Sequence, residues 1–294
     1  MTTRSGKPSR RVLRLLWLGA ACLAATGCSA AVEQKNSPDN AFSPNIRSAA
    51  MRRPAAELPE VGPAAERYSP AEYEKLGDIG FRRSDLEAAF INYEKALRLD
   101  PHNQAVRCKR AWVLVAGNFN TDAASEFGAL LARQEHNAGA REGLGQAYFQ
   151  MKRYDEAAEQ FKKALAADAT LWRSRNYLGI IYDHKKEPRR GIEEFLAAIA
   201  IKPDSGILHN NLGMAYSLAG IEEEALAAYR KALELGGPQE KVLNNIGLTL
   251  ARLGKAEQAR AAFMQAGGAE RAARNMDRVL LSQSPAPAPE HEAP

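Results

Sequence analysis

The sequence lacks the residue patterns that carry most enzyme chemistry. No phosphate-binding loop with a Gly-Lys-Ser/Thr ending is present, and Gly143-x-Gly145 lacks the third glycine of a dinucleotide loop and follows no predicted strand. No two of the five histidines have the spacing of a metal site on a helix. The acidic run from Glu222 to Glu224 falls at a predicted helix start, where carboxylates favour the positive end of the helix dipole. We therefore expect no enzyme activity, no cofactor and no metal.

A lasting excess of positive charge is missing as well. The whole chain has a formal net charge of +5, but the segment before Cys28 contains five basic and no acidic residues. Removal of that segment leaves a net charge of zero, so the sequence pI of about 9.1 does not indicate a nucleic-acid partner. No basic run with interleaved aromatic residues occurs in the rest of the chain.

The chain does contain a 34-residue repeat, which runs without insertion through six units from Pro70 to about Arg271. Unit position 8 is glycine or alanine, position 20 is alanine or glycine, and position 27 is alanine in five of the six units. A repeat of this length predicts stacked pairs of helices. The units begin at Pro70, Gln104, Ala138, Trp172, Gly206 and Glu240. Position 24 is always aromatic: Tyr93, Phe127, Phe161, Phe195, Tyr229 and Phe263.

The small residues of the repeat predict close packing between helices. Unit positions 4, 7, 8 and 11 are mostly apolar or small, which places them on one stripe of a helix. A glycine inside a helix costs about 1 kcal/mol relative to alanine. Its recurrence at position 8 therefore predicts close contact with the small residue at position 20. We expect the aromatic residue at position 24 to fill the space between neighbouring units, and Pro101 and Pro203, at position 32, to mark helix ends.

These features resemble tetratricopeptide repeats, which have the small pair at positions 8 and 20, the aromatic at 24 and a proline at 32. The resemblance implies an all-α fold, a right-handed α-solenoid of six helix pairs over residues 70–268 with a concave groove. Unit two departs from the pattern, because Arg110 replaces the usual leucine at position 7 and Glu135 replaces the proline. The sequence leaves the packing of this unit open.

A further helix is predicted after the glycine pair Gly267-Gly268. Residues 269–283 have helical periodicity, and we expect them to cap the apolar end of the repeat array. The Pro/Ala-rich tail at residues 284–294 is predicted to be disordered or extended. The residues expected on one face of the capping helix are Ala273, Met276, Val279 and Leu280.

Residues 1–27 have the anatomy of an export signal. A positively charged start precedes a mostly apolar stretch from Val12 to Ala25, which is too short for a comfortable membrane span. The ending Ala25-Thr26-Gly27-Cys28 resembles a bacterial lipoprotein cleavage box, which implies cleavage before the cysteine and its acylation. The alternatives are an ordinary secretory signal, an uncleaved anchor, or Cys22 as the acceptor. The general secretory route is favoured over the twin-arginine route that Ser9 to Leu13 resembles.

Residues 28–69 are predicted to form a lipidated, flexible tether, since they are rich in Ser, Pro, Asn, Ala and Glu and lack helical periodicity. Ser29 follows the cysteine, where an aspartate would have indicated retention in the inner membrane. The resemblance to other lipoproteins therefore implies the periplasmic face of the outer membrane. Cys108 would then have no disulfide partner in the mature chain, and we expect a semi-buried helix residue. Pairing of Cys108 between two molecules stays open.

A protein or peptide partner is expected on the face of the first helices that adjoins the buried stripe. In units five and six this face carries a pair of asparagines at positions 5 and 6. Asparagine is a poor helix former, but its amide has donors and an acceptor, so a ladder of amides can hold an extended peptide backbone. Similar ladders occur in the peptide-binding superhelix of a sugar transferase. Alternatively, asparagine is only a common filler in such repeats. The predicted groove residues are Arg173, Asn176, Asn210, Asn211, Met214, Lys241, Asn244, Asn245 and Leu248.

These features favour a non-enzymatic interaction module, a periplasmic scaffold tethered to the membrane by lipid. Its layout resembles the tight-adherence (Flp-type) pilus assembly lipoprotein and related pilotins, which implies a secretin or pilus assembly component as partner. The alternative is an adaptor lipoprotein that recruits a periplasmic peptidase or cell-wall enzyme. A remote alternative is an enzyme with a site between units, for which Tyr154, Asp183 and His184 are the best candidates.

Overall fold

The computed structural model describes residues 68–283. The export signal, Cys28, most of the tether and the tail from residue 284 lie outside the described residues. Between residues 68 and 283 every regular element is a helix, which confirms the predicted all-α fold of six helix pairs. The first three pairs are α1 (Pro70–Arg82), α2 (Leu86–Leu99), α3 (Gln104–Ala116), α4 (Asn120–Leu131), α5 (Ala138–Gln150) and α6 (Tyr154–Ala167). The other three are α7 (Trp172–His184), α8 (Pro188–Ile201), α9 (Gly206–Leu218), α10 (Glu222–Glu234), α11 (Gln239–Arg252) and α12 (Ala256–Gln283).

The helices belong to two compact units. The first unit ends at Ala167 and contains α1 to α6, and the second begins at Asp168 and contains α7 to α12. Each unit therefore holds three repeats. None of the helices between residues 68 and 283 combines the length and apolar character that a membrane span requires.

Side-chain caps begin several of the helices. Ser69 and Glu72 form a reciprocal capping box at the start of α1, which satisfies two backbone groups that a helix terminus leaves unpaired. Asp85, Asn103 and Asn137 each accept a hydrogen bond from a backbone N–H in the first turn of α2, α3 and α5. Such a cap is worth about 1 kcal/mol relative to alanine. The polar residues that precede these four helices thus fix where they begin.

The turn inside each repeat depends on one residue in the left-handed region. It occupies unit position 15 in all six repeats, with φ between 60° and 74°. Only the last two repeats place glycine there, although a left-handed backbone costs other residues on the order of 1 kcal/mol. The turn geometry is therefore imposed by the packing of the two helices rather than by local sequence. The six residues are Ser84, Asn118, Lys152, Lys186, Gly220 and Gly254.

The glycine at position 8 makes room for the aromatic ring at position 24 of its own repeat. A Cβ added to Gly213 would lie 2.6 Å from two ring carbons of Tyr229, and the other four glycines of this series meet their rings in the same way. The predicted close contact between positions 8 and 20 is present in repeat four, where a Cβ on Gly191 would lie 3.2 Å from the carbonyl oxygen of Gly179. The contact of the glycine with the ring at position 24 of its own repeat was not predicted.

In repeat two the aromatic ring contacts a glycine of the next repeat instead of one in its own. This repeat has Ala111 at position 8, and the ring of Phe127 instead occupies the place where a Cβ on Gly143 of repeat three would be, 2.2 Å from the ring. The indole of Trp112 packs edge-on against the same ring, with 5.6 Å between centroids. Here the aromatic residue does fill the space between neighbouring repeats, as predicted for the whole series.

Repeat two also departs from the pattern at position 7, where Arg110 replaces the usual leucine. Its guanidinium donates two hydrogen bonds to Glu126, at 2.7 and 3.3 Å, and also pairs with Glu94. All three side chains are mostly buried, with exposed fractions of 16%, 21% and 17%. Glu94 lies on α2 and Glu126 on α4, so Arg110 joins repeats one and two where a leucine would only have contributed apolar contact.

Cys108 is more buried than the sequence predicted. It is fully buried on α3, where a semi-buried helix residue was expected.

The chain beyond repeat six contains the helix break that the glycine pair predicted. Gly267 and Gly268 have non-helical dihedrals within α12, and Gly268 is left-handed with φ of 79°. After the break, Ala272 and Val279 are buried in a cluster with Leu250 and Phe263. Ala273 was predicted on this face but is exposed, and the side chain of Leu280 lies outside the description.

Candidate partner-binding face

The first helices of repeats four to six carry a chain of asparagine-to-asparagine hydrogen bonds. The Nδ2 group of Asn211 donates to Oδ1 of Asn176 at 2.8 Å, and Nδ2 of Asn245 donates to Oδ1 of Asn210 at 3.1 Å. Each bond joins residues 35 positions apart, so each links consecutive first helices. We call the surface formed by Asn176, Asn211, Met214, Asn245 and Leu248 the asparagine face.

A separate bond of the same kind joins α11 to α12, where Nδ2 of Asn275 donates to Oδ1 of Asn244 at 3.1 Å. Asn210 occupies an interior place in this system, since it is 6% exposed and also donates to Oδ1 of Asn211 at 3.4 Å. Asn210 was predicted as a groove residue, and the structure places it as a bridge that orients Asn211 and Asn245.

The half-buried amides of Asn211 and Asn245 keep hydrogen-bonding capacity for a partner. A carboxamide has two N–H donors and one oxygen acceptor. Within residues 68–283, Asn211 uses one donor and its oxygen, and Asn245 uses one donor. One N–H of Asn211 and both an N–H and the oxygen of Asn245 remain, which suits the alternating N–H and C=O groups of an extended backbone.

Apolar side chains border these amides. Met214 and Leu248, both predicted site residues, are 42% and 43% exposed. Ile207 and Leu218 are 54% and 52% exposed, and their spacing from Asn211 and Met214 places all four on one face of α9. The sequence analysis did not assign Ile207 to the site. The available signal was its unit position 2, which lies on the same helix face as the asparagines at positions 5 and 6. Large apolar side chains clustered at a surface are typical of an interaction site.

The two predicted basic residues differ in their surroundings. The Arg173 guanidinium lies 4.6 Å from the centroid of the Trp172 ring, with the Lys202 ammonium 4.9 Å from the same ring. These cation–π contacts hold Arg173 in place. Lys241 is exposed at the start of α11, so it contributes charge at the rim of the face.

A buried polar network beside the face was not predicted. The hydroxyls of Ser217 and Thr249 lie 3.3 Å apart and are 5% and 0% exposed. Arg252 donates to the carbonyl oxygen of Ser217 at 3.1 Å and lies 3.5 Å from a carboxylate oxygen of Glu222. This network joins repeats five and six, and it supports the neighbouring Leu218 and Leu248 on rigid helices.

Asp183, one of the candidates for an enzyme site, has an unusual environment. Its Oδ1 atom is buried without a hydrogen-bond partner within the described residues. Burial raises the pKa of Asp183 to about 7, because removing water disfavours the charged carboxylate. Gly191 makes this position possible, since a Cβ there would lie 2.6 Å from Oδ1. His184 is exposed, and Tyr154 belongs to the other compact unit.

Among residues 68–283, no three His, Cys, Asp or Glu side chains lie close enough together to hold a metal ion. The asparagine face presents amides and apolar side chains, and Arg173 and Lys241 supply positive charge beside it.

Comparison with known families agrees with the geometry. One model of the tetratricopeptide repeat matches residues 108–171 and 178–240, and a second matches residues 73–103 and 240–268. The chain belongs to the tetratricopeptide repeat family. No curated protein matches this tetratricopeptide repeat protein at a significant level.

Solved structures share the fold of this tetratricopeptide repeat protein. PilF of Pseudomonas aeruginosa is 20% identical with a TM-score of 0.63, and the match covers 73% of this chain and 97% of PilF. A tetratricopeptide repeat protein of Parabacteroides merdae is 22% identical with a TM-score of 0.55, covering 74% and 86% of the two chains. A chain of the APC/C hetero-tetramer Cut9–Hcn1 is 16% identical with a TM-score of 0.65, covering 72% and 43%. At these identities the likeness shows the fold alone.

Proposed function

We propose that this tetratricopeptide repeat protein is a lipid-anchored scaffold on the periplasmic face of the outer membrane. On this proposal, its asparagine face holds an extended segment of a protein partner. The scaffold assists the assembly of a pilus or secretion apparatus, in the manner of the pilotin-type lipoproteins that its layout resembles. It performs no chemistry of its own.

Two features support the anchoring and the process. The apolar segment that ends in Ala25-Thr26-Gly27-Cys28 has the form of a lipoprotein signal. The fold-level similarity to Pseudomonas aeruginosa PilF, over 97% of that chain, is consistent with a role in pilus assembly.

The observation that carries the proposal is the alternation of amides and apolar side chains on consecutive first helices. Asn211 and Asn245 are held in place by Asn176 and Asn210 at 2.8 and 3.1 Å. A binding group that is already fixed loses less conformational entropy when the partner docks. Exposed Met214 and Leu248 supply the desolvated contact that amides alone do not provide.

The test is simultaneous replacement of Asn211 and Asn245 by alanine in the full-length protein. We expect capture of a secretin or pilus assembly component from solubilised membranes to fall at least fivefold, since two or more backbone hydrogen bonds of about 1 kcal/mol each are lost. Quantitative mass spectrometry of the captured proteins measures the change. Capture of a periplasmic peptidase or cell-wall hydrolase in its place would support the adaptor alternative.

A matched control separates binding from folding. Asn92→Ala changes an asparagine on a second helix, whose Nδ2 bonds only the backbone of its own turn at 2.7 Å. This variant should capture the partner as the unchanged protein does. The double variant also loses two hydrogen bonds between repeats, so its melting temperature is measured first. A well-folded double variant with unchanged capture would remove the asparagine face from the proposal.

A further inference from the structure

A cleft of about 380 Å³ lies at one end of the asparagine face. It is formed where the turn between α7 and α8 meets the last residues of α9. Its walls are formed by Lys186, Glu187, Pro188, Arg189, Arg190, Leu218 and Ala219, so one carboxylate, which pairs with Arg190, lies among the three cations. All of these residues belong to the second compact unit.

The cations of this cleft are not equally available. Arg190 is engaged, since its Nη2 donates to the hydroxyl of Tyr182 at 2.8 Å, its guanidinium lies 4.0 Å from the centre of that ring, and it pairs with Glu187. Lys186 and Arg189 are exposed and have no ion pair or side-chain hydrogen bond within residues 68–283. The cleft therefore presents two unpaired positive charges beside a third that is fixed in orientation.

The cleft also has an apolar part that continues the asparagine face. Leu218 is 52% exposed, and it is the last residue of the stripe on α9 that includes Ile207, Asn211 and Met214. A chain lying along α9 therefore meets the amides first, then Leu218, and then the cations of the turn. A partner segment with an apolar residue followed by carboxylates would match this order.

We propose that the cleft binds an acidic segment of the protein partner, with an apolar side chain against Leu218 and an Asp or Glu side chain between Lys186 and Arg189. The inference rests on the proposed function and specifies the chemistry of its ligand. The site is an open depression with one large apolar side chain, and it has room for one or two side chains of a peptide. A membrane surface, the other source of negative charge, is distinguished from a peptide by the experiment below.

The experiment selects peptides from a random octapeptide library displayed on phage, using the full-length protein solubilised in detergent. We expect enrichment of sequences in which an apolar residue precedes Asp or Glu. A synthetic, dye-labelled copy of the most enriched peptide then serves as the probe, and its dissociation constant is measured by fluorescence anisotropy. An enriched set without acidic residues, or no enrichment at all, would overturn the proposal.

Two variants test the two halves of the cleft. Lys186→Gln combined with Arg189→Gln should weaken binding of the labelled peptide about fivefold to tenfold in low salt and flatten its salt dependence, since exposed charges contribute modestly and are screened. Leu218→Ser should weaken binding by a similar factor that does not depend on salt. The control is Arg230→Gln with Arg260→Gln, which removes the same charge from exposed residues that do not line the cleft.

The outcomes distinguish this inference from the proposed function. Loss of peptide binding in the cleft variants, but not in Asn211→Ala with Asn245→Ala, keeps the acidic-peptide cleft and removes the asparagine face. Loss only in the asparagine variant keeps the face and refutes the cleft. Equal binding of the cleft variant and the control to vesicles of phosphatidylcholine with 30% phosphatidylglycerol is expected. A selective loss of vesicle binding in the cleft variant, with peptide binding unchanged, would assign the cations to a membrane instead.

Discussion

At the scale of single residues, the repeat is held by pairs of residues whose sizes are complementary. Gly213 has no side chain because the ring of Tyr229 lies where a Cβ would be, and Gly191 leaves space for the carboxylate of Asp183. A small residue in this fold thus has a specific partner rather than a general role in flexibility. The loss of folding free energy on enlarging such a residue depends on whether the partner side chain can move away.

Gly213→Ala is expected to lower the free energy of unfolding by about 1–2 kcal/mol, because overpacking costs more than the gain of about 1 kcal/mol in helix propensity. Thermal unfolding followed by circular dichroism measures the change. Gly128→Ala is the matched control, since Gly128 is also inside a helix but a Cβ there meets nothing within 4 Å. That variant should be more stable than the unchanged protein, and equal effects at the two sites would contradict this explanation.

Asp183 gives the protein a pH-dependent stability. Its folded pKa of about 7 lies above the ordinary value of 3.8, so the folded state holds a proton that the unfolded state releases. Its contribution to stability is therefore greatest near pH 4 and is lost as the pH rises to about 7. We expect a loss of about 1–2 kcal/mol across this range, after allowing for partial exposure to water.

Asp183→Asn tests this dependence, because the neutral amide has the same shape and does not titrate. The slope of melting temperature against pH between 5 and 8 should be smaller in the variant than in the unchanged protein. Asp277→Asn, at an exposed position of α12, is the control and should keep the original slope. A slope that survives in Asp183→Asn would assign the dependence to other groups.

At the scale of helices, charged side chains replace apolar contact where repeat two departs from the pattern. Arg110 pairs with Glu94 on α2 and with Glu126 on α4, and it also lies 5.8 Å from the ring centre of Phe90. A mostly buried ion pair is stable only while every member is present, because an unpaired buried charge has lost its water without compensation. The ion pairs of Arg110 thus replace the apolar contacts that a leucine would have made at this position.

Arg110→Met should destabilise the protein by about 3 kcal/mol at neutral pH, since two carboxylates lose their common partner. Urea unfolding followed by circular dichroism measures the loss. The triple variant Arg110→Met with Glu94→Met and Glu126→Leu should recover most of the stability, because no buried charge remains. Equal stability of the single variant and the unchanged protein would show that the triad contributes nothing to folding.

At the scale of the whole molecule, the proposed function assigns partner binding to the repeats and membrane attachment to the residues that precede them. Residues 68–283 supply the binding surfaces and include no helix suited to span a membrane. On the proposed function, attachment to the membrane depends on the sequence around Cys28. Two acyl chains hold a protein stably at a membrane, whereas one is marginal.

Cys28→Ala is expected to abolish incorporation of radiolabelled palmitate into the protein, because the thiol that carries the acyl chain is lost. Labelling of cells followed by immunoprecipitation measures the change. Cys22→Ala is the control and should keep its label. The opposite pattern would make Cys22 the acceptor, and an unchanged protein that takes up no label would refute lipidation.

The sequence alone determined the length of the repeat, the pairing of helices and the helix break at Gly267-Gly268. These properties depend on residues close together in the chain, and their spacing is visible in the period of small and aromatic residues. Tertiary structure decided that Tyr229 is the neighbour of Gly213, that Arg110 joins two repeats, and that Asn210 is buried while Asn211 is only half-buried. Such contacts join residues about 15 to 35 positions apart, so they depend on how helices rotate against one another as they pack. That rotation is set by the sum of many weak contacts, which no single stretch of sequence contains.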